Sequence, residues 1–283
     1  MAAEIASWFS TFQNNQAIAN AGAISTRYKR ITQRLNTDYW ETTSEFTHSI
    51  YVGSYGRDTG IEGISDIDMA FWLPPSVYEK YKKHSGNGPS ALLQSVRASI
   101  QKTYPATTLS ADGQVLVVQF GQGLPFEVLP CFEHSDGSSF IYPDSRAEIL
   151  AIRYRNDAAN GNLKRLCKMM RAWRHQSSVP ISGVLIDTLA YQFIENWEHR
   201  DKSFLYHDWM SRDFFDYLAI QNRDQNYWLA PGSGRNVHRD GLFEYKARVS
   251  CNIAKEAIQH GLDQREYSAK IKWREIYGNS FPG

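Results

Sequence analysis

Cysteine is scarce: Cys131, Cys167 and Cys251 are the three in 283 residues, far apart, odd in number and without a Cys-x-x-Cys pair. Their spacing excludes a disulfide framework and a structural zinc site, and the expected setting is a reducing cytoplasm. No run approaches the ~20 apolar residues of a membrane span. The Met-Ala-Ala-Glu start has neither a basic region nor an apolar core, so neither export nor membrane insertion is expected. Neither sign of charge predominates, with 31 Lys and Arg against 30 Asp and Glu. A protein built to coat nucleic acid would carry a basic excess, so no stable nucleic-acid partner is expected and small charged ligands fit better. Only ten prolines, no internal repeat and no low-complexity tract describe an ordered chain, long enough for one large or two small cores.

What is present is concentrated between Tyr51 and Leu73. From Asp66 onward, Ile67, Met69, Phe71 and Leu73 alternate with Asp66, Asp68, Ala70 and Trp72, the period of a strand. Asp66 and Asp68 therefore point the same way, with their roots roughly 7 Å apart. Their oxygens can converge on one hard cation, which would offset their repulsion. Upstream, His48 to Val52 reads as a short strand that breaks at Gly53-Ser54. A glycine there lets the backbone approach a ligand and a serine can donate to a phosphate oxygen, with Arg57 and Thr59 as further donors. Singly, a Gly-Ser pair is an ordinary turn and an Asp-x-Asp a solvated strand edge. A phosphate cradle about a dozen residues ahead of a metal-binding strand is instead the layout of a nucleoside triphosphate site with magnesium.

Helices are expected over much of Ile5 to Trp40, where Ile31, Leu35 and Tyr39 fall at helical spacing and would pack behind the sheet. Pro74-Pro75 stops the strand, and helices follow over Ser76 to Lys83 and Ser90 to Lys102. Gln114 to Phe120 and Leu124 to Pro130 read as strands joined by a turn at Gly121-Gln-Gly123. Glu127, between Phe126 and Val128, is costly to bury unpaired, so it lies either at the sheet surface or on a cation. From Arg146 the pattern turns helical, which divides the chain into residues 1–145 and 146–283. Leu163, Leu166, Cys167, Met170 and Trp173 form one stripe of a helix, and Lys164, Lys168 and Arg171 another. The basic stripe is either a solvated face or a phosphate-binding one. No acid occurs from Ala158 through Ile186 to balance it, an unpaired field suited to a triphosphate. Further helices are expected around Phe204 to Ile220, Gly241 to His260 and Arg265 to Tyr277, with Tyr227 and Trp228 as core.

Gly53-Ser54 followed by Ser65-Asp66-Ile67-Asp68 resembles the signature of the DNA polymerase beta type nucleotidyltransferases. Within that superfamily, Val52-Gly-Ser-Tyr-Gly-Arg-Asp-Thr59 resembles the bacterial cGAS/DncV-like nucleotidyltransferases, or CD-NTases. The resemblance runs over roughly 27–260 and is specific at the motifs. It implies an α/β (α+β) fold in which an N-terminal mixed sheet with helices is joined by a helical C-terminal lobe, with the active site in the cleft between them. It implies that Asp66, Asp68 and Glu127 are catalytic and hold two Mg2+ ions, with Mn2+ a possible substitute. Phe126-Glu-Val-Leu-Pro130 fits the family's Asp-x-x-Pro strand with Glu in place of Asp.

Leu166 to Trp173 and Pro180 to Leu185 resemble the paired helices of oligoadenylate synthetase and cGAS-like enzymes, where a basic and a small polar residue hold the triphosphate. By position these are Lys168 or Arg171, and Ser182; Asn236-Val237 also resembles the family. The implied nucleotide-binding set is Gly53, Ser54, Arg57, Thr59, Lys168, Arg171, Ser182 and Asn236. The implied activity joins ribonucleoside triphosphates, with ATP and GTP the expected pair, into a cyclic dinucleotide or other cyclic oligonucleotide that activates an effector protein in CBASS antiphage defence. A tRNA- or antibiotic-modifying nucleotidyltransferase shares the signature, but near-neutral charge argues against a tRNA partner. A non-catalytic nucleotide- or RNA-sensing module is opposed by the presence of all three carboxylates. At Tyr142 to Glu148 the chain departs from the family by lacking a glycine- and tryptophan-containing loop, so no lid is assigned.

Overall fold

The computed structural model describes residues 2–121, 123–133 and 144–283. Gln122 of the expected turn, and the start of the divergent stretch at Tyr142-Pro143, lie outside the described residues. The first part of the chain forms α1 (Ala2–Asn15), α2 (Ala21–Tyr39), β1 (Ser49–Tyr51), the single turn α3 (Gly53–Gly56), β2 (Ile67–Trp72), α4 (Pro75–Lys82) and α5 (Gly88–Thr103). Three strands follow, β3 (Thr108–Asp112), β4 (Val115–Gln119) and β5 (Phe126–Cys131). The remainder holds α6 (Ser145–Ala158), α7 (Asn162–Ser177), α8 (Gly183–Asn196), α9 (His207–Ala219), β6 (Tyr227–Leu229), β7 (Asn236–His238), α10 (Glu244–Leu262) and α11 (Glu266–Tyr277).

These elements group into two compact units, one of Ile18–Gly56 with Gly63–Arg146, the other of Met1–Ala17, Arg57–Glu62 and Ala147–Gly283. Residues 1–17 and 57–62, grouped by the sequence reading with the N-terminal lobe, thus cluster with the C-terminal segment.

The first unit is built on a five-stranded sheet in the order β1-β2-β5-β4-β3. β2 pairs antiparallel with β1 and parallel with β5, while β4 runs antiparallel to both β5 and β3. A parallel pair cannot close through a hairpin, and the chain between β2 and β5 supplies the long crossover. The period-two pattern of β2 buries Ile67, Met69 and Phe71 against Ile24, Ile31 and Leu35 of α2 and Val96 and Ile100 of α5. On the opposite face Asp68 is half-buried. Trp72, farther along that face, lies under the Arg146 guanidinium, 4.0 Å from the ring centre. α5 starts where the Asn87 side chain accepts a hydrogen bond from Ser90 N at 3.1 Å, a side-chain N-cap with Pro89 in the first turn. β3 was not expected. Only Leu109 is buried in it, so this edge strand is defined by pairing with β4 and carries no apolar alternation.

The second unit is helical with one small hairpin, β6 and β7, of three residues per strand. The stripe Leu163, Leu166, Cys167, Met170 and Trp173 of α7 is fully buried, as its spacing predicts. α1 belongs here because Phe9 and Phe12 have ring partners in this unit. Phe9 meets Trp273 at 5.2 Å and Phe281 at 5.3 Å, and Phe12 meets Tyr277 at 4.6 Å. Burying each such ring contributes roughly 2–3 kcal/mol. The helix expected behind the sheet is therefore α2, and α1 is part of the aromatic core of the helical unit. Trp228 is core, as expected, whereas Tyr227 is 48% exposed.

Candidate active site

In the sheet unit, the backbone N–H of Val52 donates to the Asp68 carbonyl at 2.9 Å, which seats the end of β1 against the start of β2. Gly53 follows at φ +60°, in the left-handed region that glycine adopts without a Cβ penalty. A Cβ at this position would lie 1.7 Å from Asp68 Oδ2, so only a glycine leaves room for that carboxylate. Ser54 is half-buried in the single turn α3.

Parallel pairing sets Asp68 directly opposite Glu127, in register, so the two side chains rise from the same face of adjacent strands. Asp66, two residues before Asp68, joins that face and accepts a hydrogen bond from Ser65 Oγ. Burial raises the pKa of the Glu127 carboxyl above its ordinary value, and the charges of Asp66, Asp68 and Asp112 raise it further. Of the two readings of Glu127, the register favours a group that shares its surroundings with the paired aspartates.

Three hard oxygen donors under mutual repulsion suit a divalent cation of the magnesium or manganese type. Among the described residues no three His, Cys, Asp or Glu side chains are gathered closely enough to form a ready-made metal cage. The fit therefore rests on the shared face of Asp68 and Glu127 and on the donor chemistry.

In the helical unit, the expected phosphate-binding residues divide. Asp187, fully buried in α8, accepts from Arg57 Nε at 2.9 Å, Thr59 Oγ1 at 2.9 Å and Arg171 Nη1 at 2.6 Å. These cations outweigh burial and hold the Asp187 carboxyl well below the usual carboxylate range, at about 2. Arg57 also reaches Glu148 at 3.4 Å, and Glu148 in turn takes Ser233 at 2.8 Å and Arg235 at 2.6 Å. Arg57, Thr59 and Arg171, expected as nucleotide ligands, are here members of a buried network around Asp187. Arg171 is 5% exposed and its guanidinium is committed to Asp187 and to the Gly183 carbonyl.

Lys168 and Lys164, on the same stripe of α7 as Arg171, both meet Asp58, at 2.9 and 3.4 Å. The expectation of an unbalanced basic stripe on this helix is overturned. The balancing acids are Asp58 and Asp187, one far upstream in the chain and one immediately past the acid-free run. Ser182 caps α8 by accepting from Leu185 N at 3.3 Å through an oxygen lone pair, a contact that does not spend its O–H. Asn236 is exposed on β7, opposite Leu229. Sequence reasoning missed Asp187, although its setting among Val184, Leu185, Ile186, Leu189 and Ala190 was a signal. A lone carboxylate in an apolar helix requires a cation.

Several known proteins resemble this chain. A search of curated proteins finds no match. Among solved structures, CdnC of Escherichia coli MS115-1, in its complex with HORMA-deltaN, superposes with a TM-score of 0.72 at 16% identity, over 98% of each chain. The CD-NTase CdnG of Bradyrhizobium diazoefficiens, in complex with GTP, gives 0.62 at 12% identity, over 96% of this chain and 94% of that one. Apo DncV of Vibrio cholerae gives 0.63 at 15% identity, over 83% of this chain and 69% of that one. At these identities the likeness establishes the fold, that of the polymerase-beta-like CD-NTases. Residues 3–156, more than half of the sequence, match the family model described as the Second Messenger Oligonucleotide or Dinucleotide Synthetase domain. With Gly53, Asp66, Asp68 and Glu127 inside that match, the chain belongs to this family and is a nucleotidyltransferase of the cyclic oligonucleotide synthase class.

Proposed function

We propose that this nucleotidyltransferase is a metal-dependent, template-independent synthase that joins ribonucleoside triphosphates, ATP with GTP, into a cyclic dinucleotide and releases pyrophosphate. The observation that carries the reading is the in-register pair of Asp68 and Glu127, with Gly53 closed against Asp68. The resemblance to a relative solved with ATP and to another solved with GTP supports purine nucleotides as substrates.

In each transfer the acceptor ribose oxygen attacks the α-phosphorus, the new O–P bond forms and the α–β bridging bond breaks. The leaving pyrophosphate takes the electron pair. Two Mg2+ ions, or Mn2+ in their place, held by Asp66, Asp68 and Glu127, would supply Lewis acidity to the acceptor hydroxyl and the triphosphate. Glu127, on the same face as Asp68, is placed to accept the acceptor hydroxyl's proton at a carboxylate oxygen. Asp66 and Asp68 set the negative field that requires the cations. Gly53 and Ser54 let the backbone approach a phosphate, Lys168 and Ser182 hold phosphate oxygens, and Asn236 offers an exposed amide. The same assignment makes the sheet unit the catalytic lobe and the helical unit the nucleotide-holding lobe. The product would activate an effector protein in CBASS antiphage defence, in the cytoplasm.

The test is incubation of radiolabelled ATP and GTP with magnesium, comparing the wild type with the double variant Asp66→Ala/Asp68→Ala. The wild type is expected to form a phosphatase-resistant cyclic product, and the variant none. Unchanged turnover in the variant would refute the assignment. Formation of product only when an RNA or antibiotic acceptor is added would move the enzyme to a different branch of the superfamily.

A further inference from the structure

Asp58 lies between two residues whose side chains are buried and tied to Asp187, Arg57 on one side and Thr59 on the other. Its backbone is therefore anchored at both ends, and it adopts φ +54°, a conformation in which Asp, Asn and Gly are the tolerated residues. Its side chain, by contrast, is 64% exposed. Oδ1 accepts from Lys168 Nζ at 2.9 Å and Oδ2 faces Lys164 Nζ at 3.4 Å. Lys164 and Lys168 stand one turn apart on α7, so a single carboxylate bridges two ammonium groups through its two oxygens. A phosphate would present its oxygens to the same pair in the same way. The bridge is weak, because water screens it and both lysine heads remain partly accessible.

We propose that Asp58 is a built-in competitor for the nucleotide's phosphates. It satisfies Lys164 and Lys168 when no phosphate is bound, swings away when the triphosphate arrives, and so sets nucleotide affinity. The proposal rests on the reading of Lys168 as a triphosphate ligand and extends it to Lys164 and to the acid that restrains both. The fixed backbone keeps the displaced carboxylate close, where it continues to repel the bound phosphates. A unit charge about 4 Å away in water-like surroundings changes binding by roughly five-fold, and the effect fades as salt rises.

The experiment measures initial rates against nucleotide concentration for the wild type, Asp58→Asn and Asp58→Gly. Both substitutions suit φ +54° and remove the charge, and melting curves confirm that each variant folds. The expected result is a KM lower by about five-fold at low salt, with kcat little changed and the difference shrinking at high salt. The pair Lys164→Met/Lys168→Met is expected to raise KM and to abolish the effect of Asp58→Asn when the changes are combined. If the lysine pair raises KM but neither Asp58 variant lowers it, the competitor role is overturned while the phosphate reading stands. If the lysine pair leaves KM unchanged, the phosphate reading of α7 fails and the proposal with it.

Discussion

Beside Asp68, the space at residue 53 admits a hydrogen and nothing larger, and that restriction is as much part of the site as the carboxylate itself. Gly53→Ala would have to push Asp68 aside and would also hold an alanine at φ +60°, a strain of about 1–2 kcal/mol. We expect this variant to fold with a melting temperature a few degrees lower and to lose at least ~100-fold in kcat, since an ångström of misplacement costs about that much. Initial rates measured beside a thermal melt would check it, and near-wild-type turnover would remove Gly53 from the site. Glu127 illustrates what one residue type in a pattern can and cannot say. A glutamate among Phe and Val announces that something unusual stands there, but two outcomes satisfy that pattern. Register sets Glu127 directly opposite Asp68, and pairing between strands from distant parts of the chain is not written into either strand alone.

At the scale of elements, α7 and α8 show how a correct pattern can carry an incorrect inference. The apolar stripe of α7 was legible and is buried as expected. Its basic stripe was read as unbalanced because the acids that balance it are not on that helix. Arg171 is 16 positions from Asp187, and Arg57 is 130 positions from it. Asp187→Asn leaves two arginines short of their buried acceptor charge, and we expect a loss of about 3–5 kcal/mol in urea unfolding. A loss below ~1 kcal/mol would show that the network is dispensable. The pH dependence follows from the depressed pKa. Asp187 contributes its stability above the ordinary aspartate value of 3.8, and that contribution is lost as the pH falls toward its folded value of about 2. Acid unfolding followed by fluorescence should therefore be steeper between those limits in the wild type than in Asp187→Asn.

On the scale of the molecule, the chain divides next to Arg146, where the helical pattern begins, but two earlier segments cross that boundary. The N-terminal segment and the short insertion Arg57–Glu62 join the helical unit, and Ile18–Gly56 and Gly63–Arg146 form the sheet unit. Glu62 N donates to the Gln16 carbonyl at 2.9 Å, so these two returning pieces also hold each other. Phe12→Ala should cost about 3–5 kcal/mol by opening a cavity among Tyr277 and Phe281. Hydrogen exchange is the discriminating readout. We expect protection to fall in α1 and α11 while β2 and β5 keep theirs, and equal loss in both would contradict the division into two units.

Local order was legible because it is short-ranged. The alternation of β2, the helical stripes of α2 and α7 and the spacing of Gly53-Ser54 from Asp66 and Asp68 each lie within one or two elements, and side-chain periodicity records them directly. By itself the sequence determined the family, through Gly53-Ser54 and Asp66-Ile-Asp68, and the apolar faces of β2 and α7. Tertiary structure alone decided the partner of each charge: Glu127 in register with Asp68, Arg57 and Arg171 withdrawn to Asp187, Lys164 and Lys168 held by Asp58. The physical reason is that an ion pair or a strand register forms between segments whose separation along the chain carries no periodic signal. Only the packing of the apolar faces brings them together.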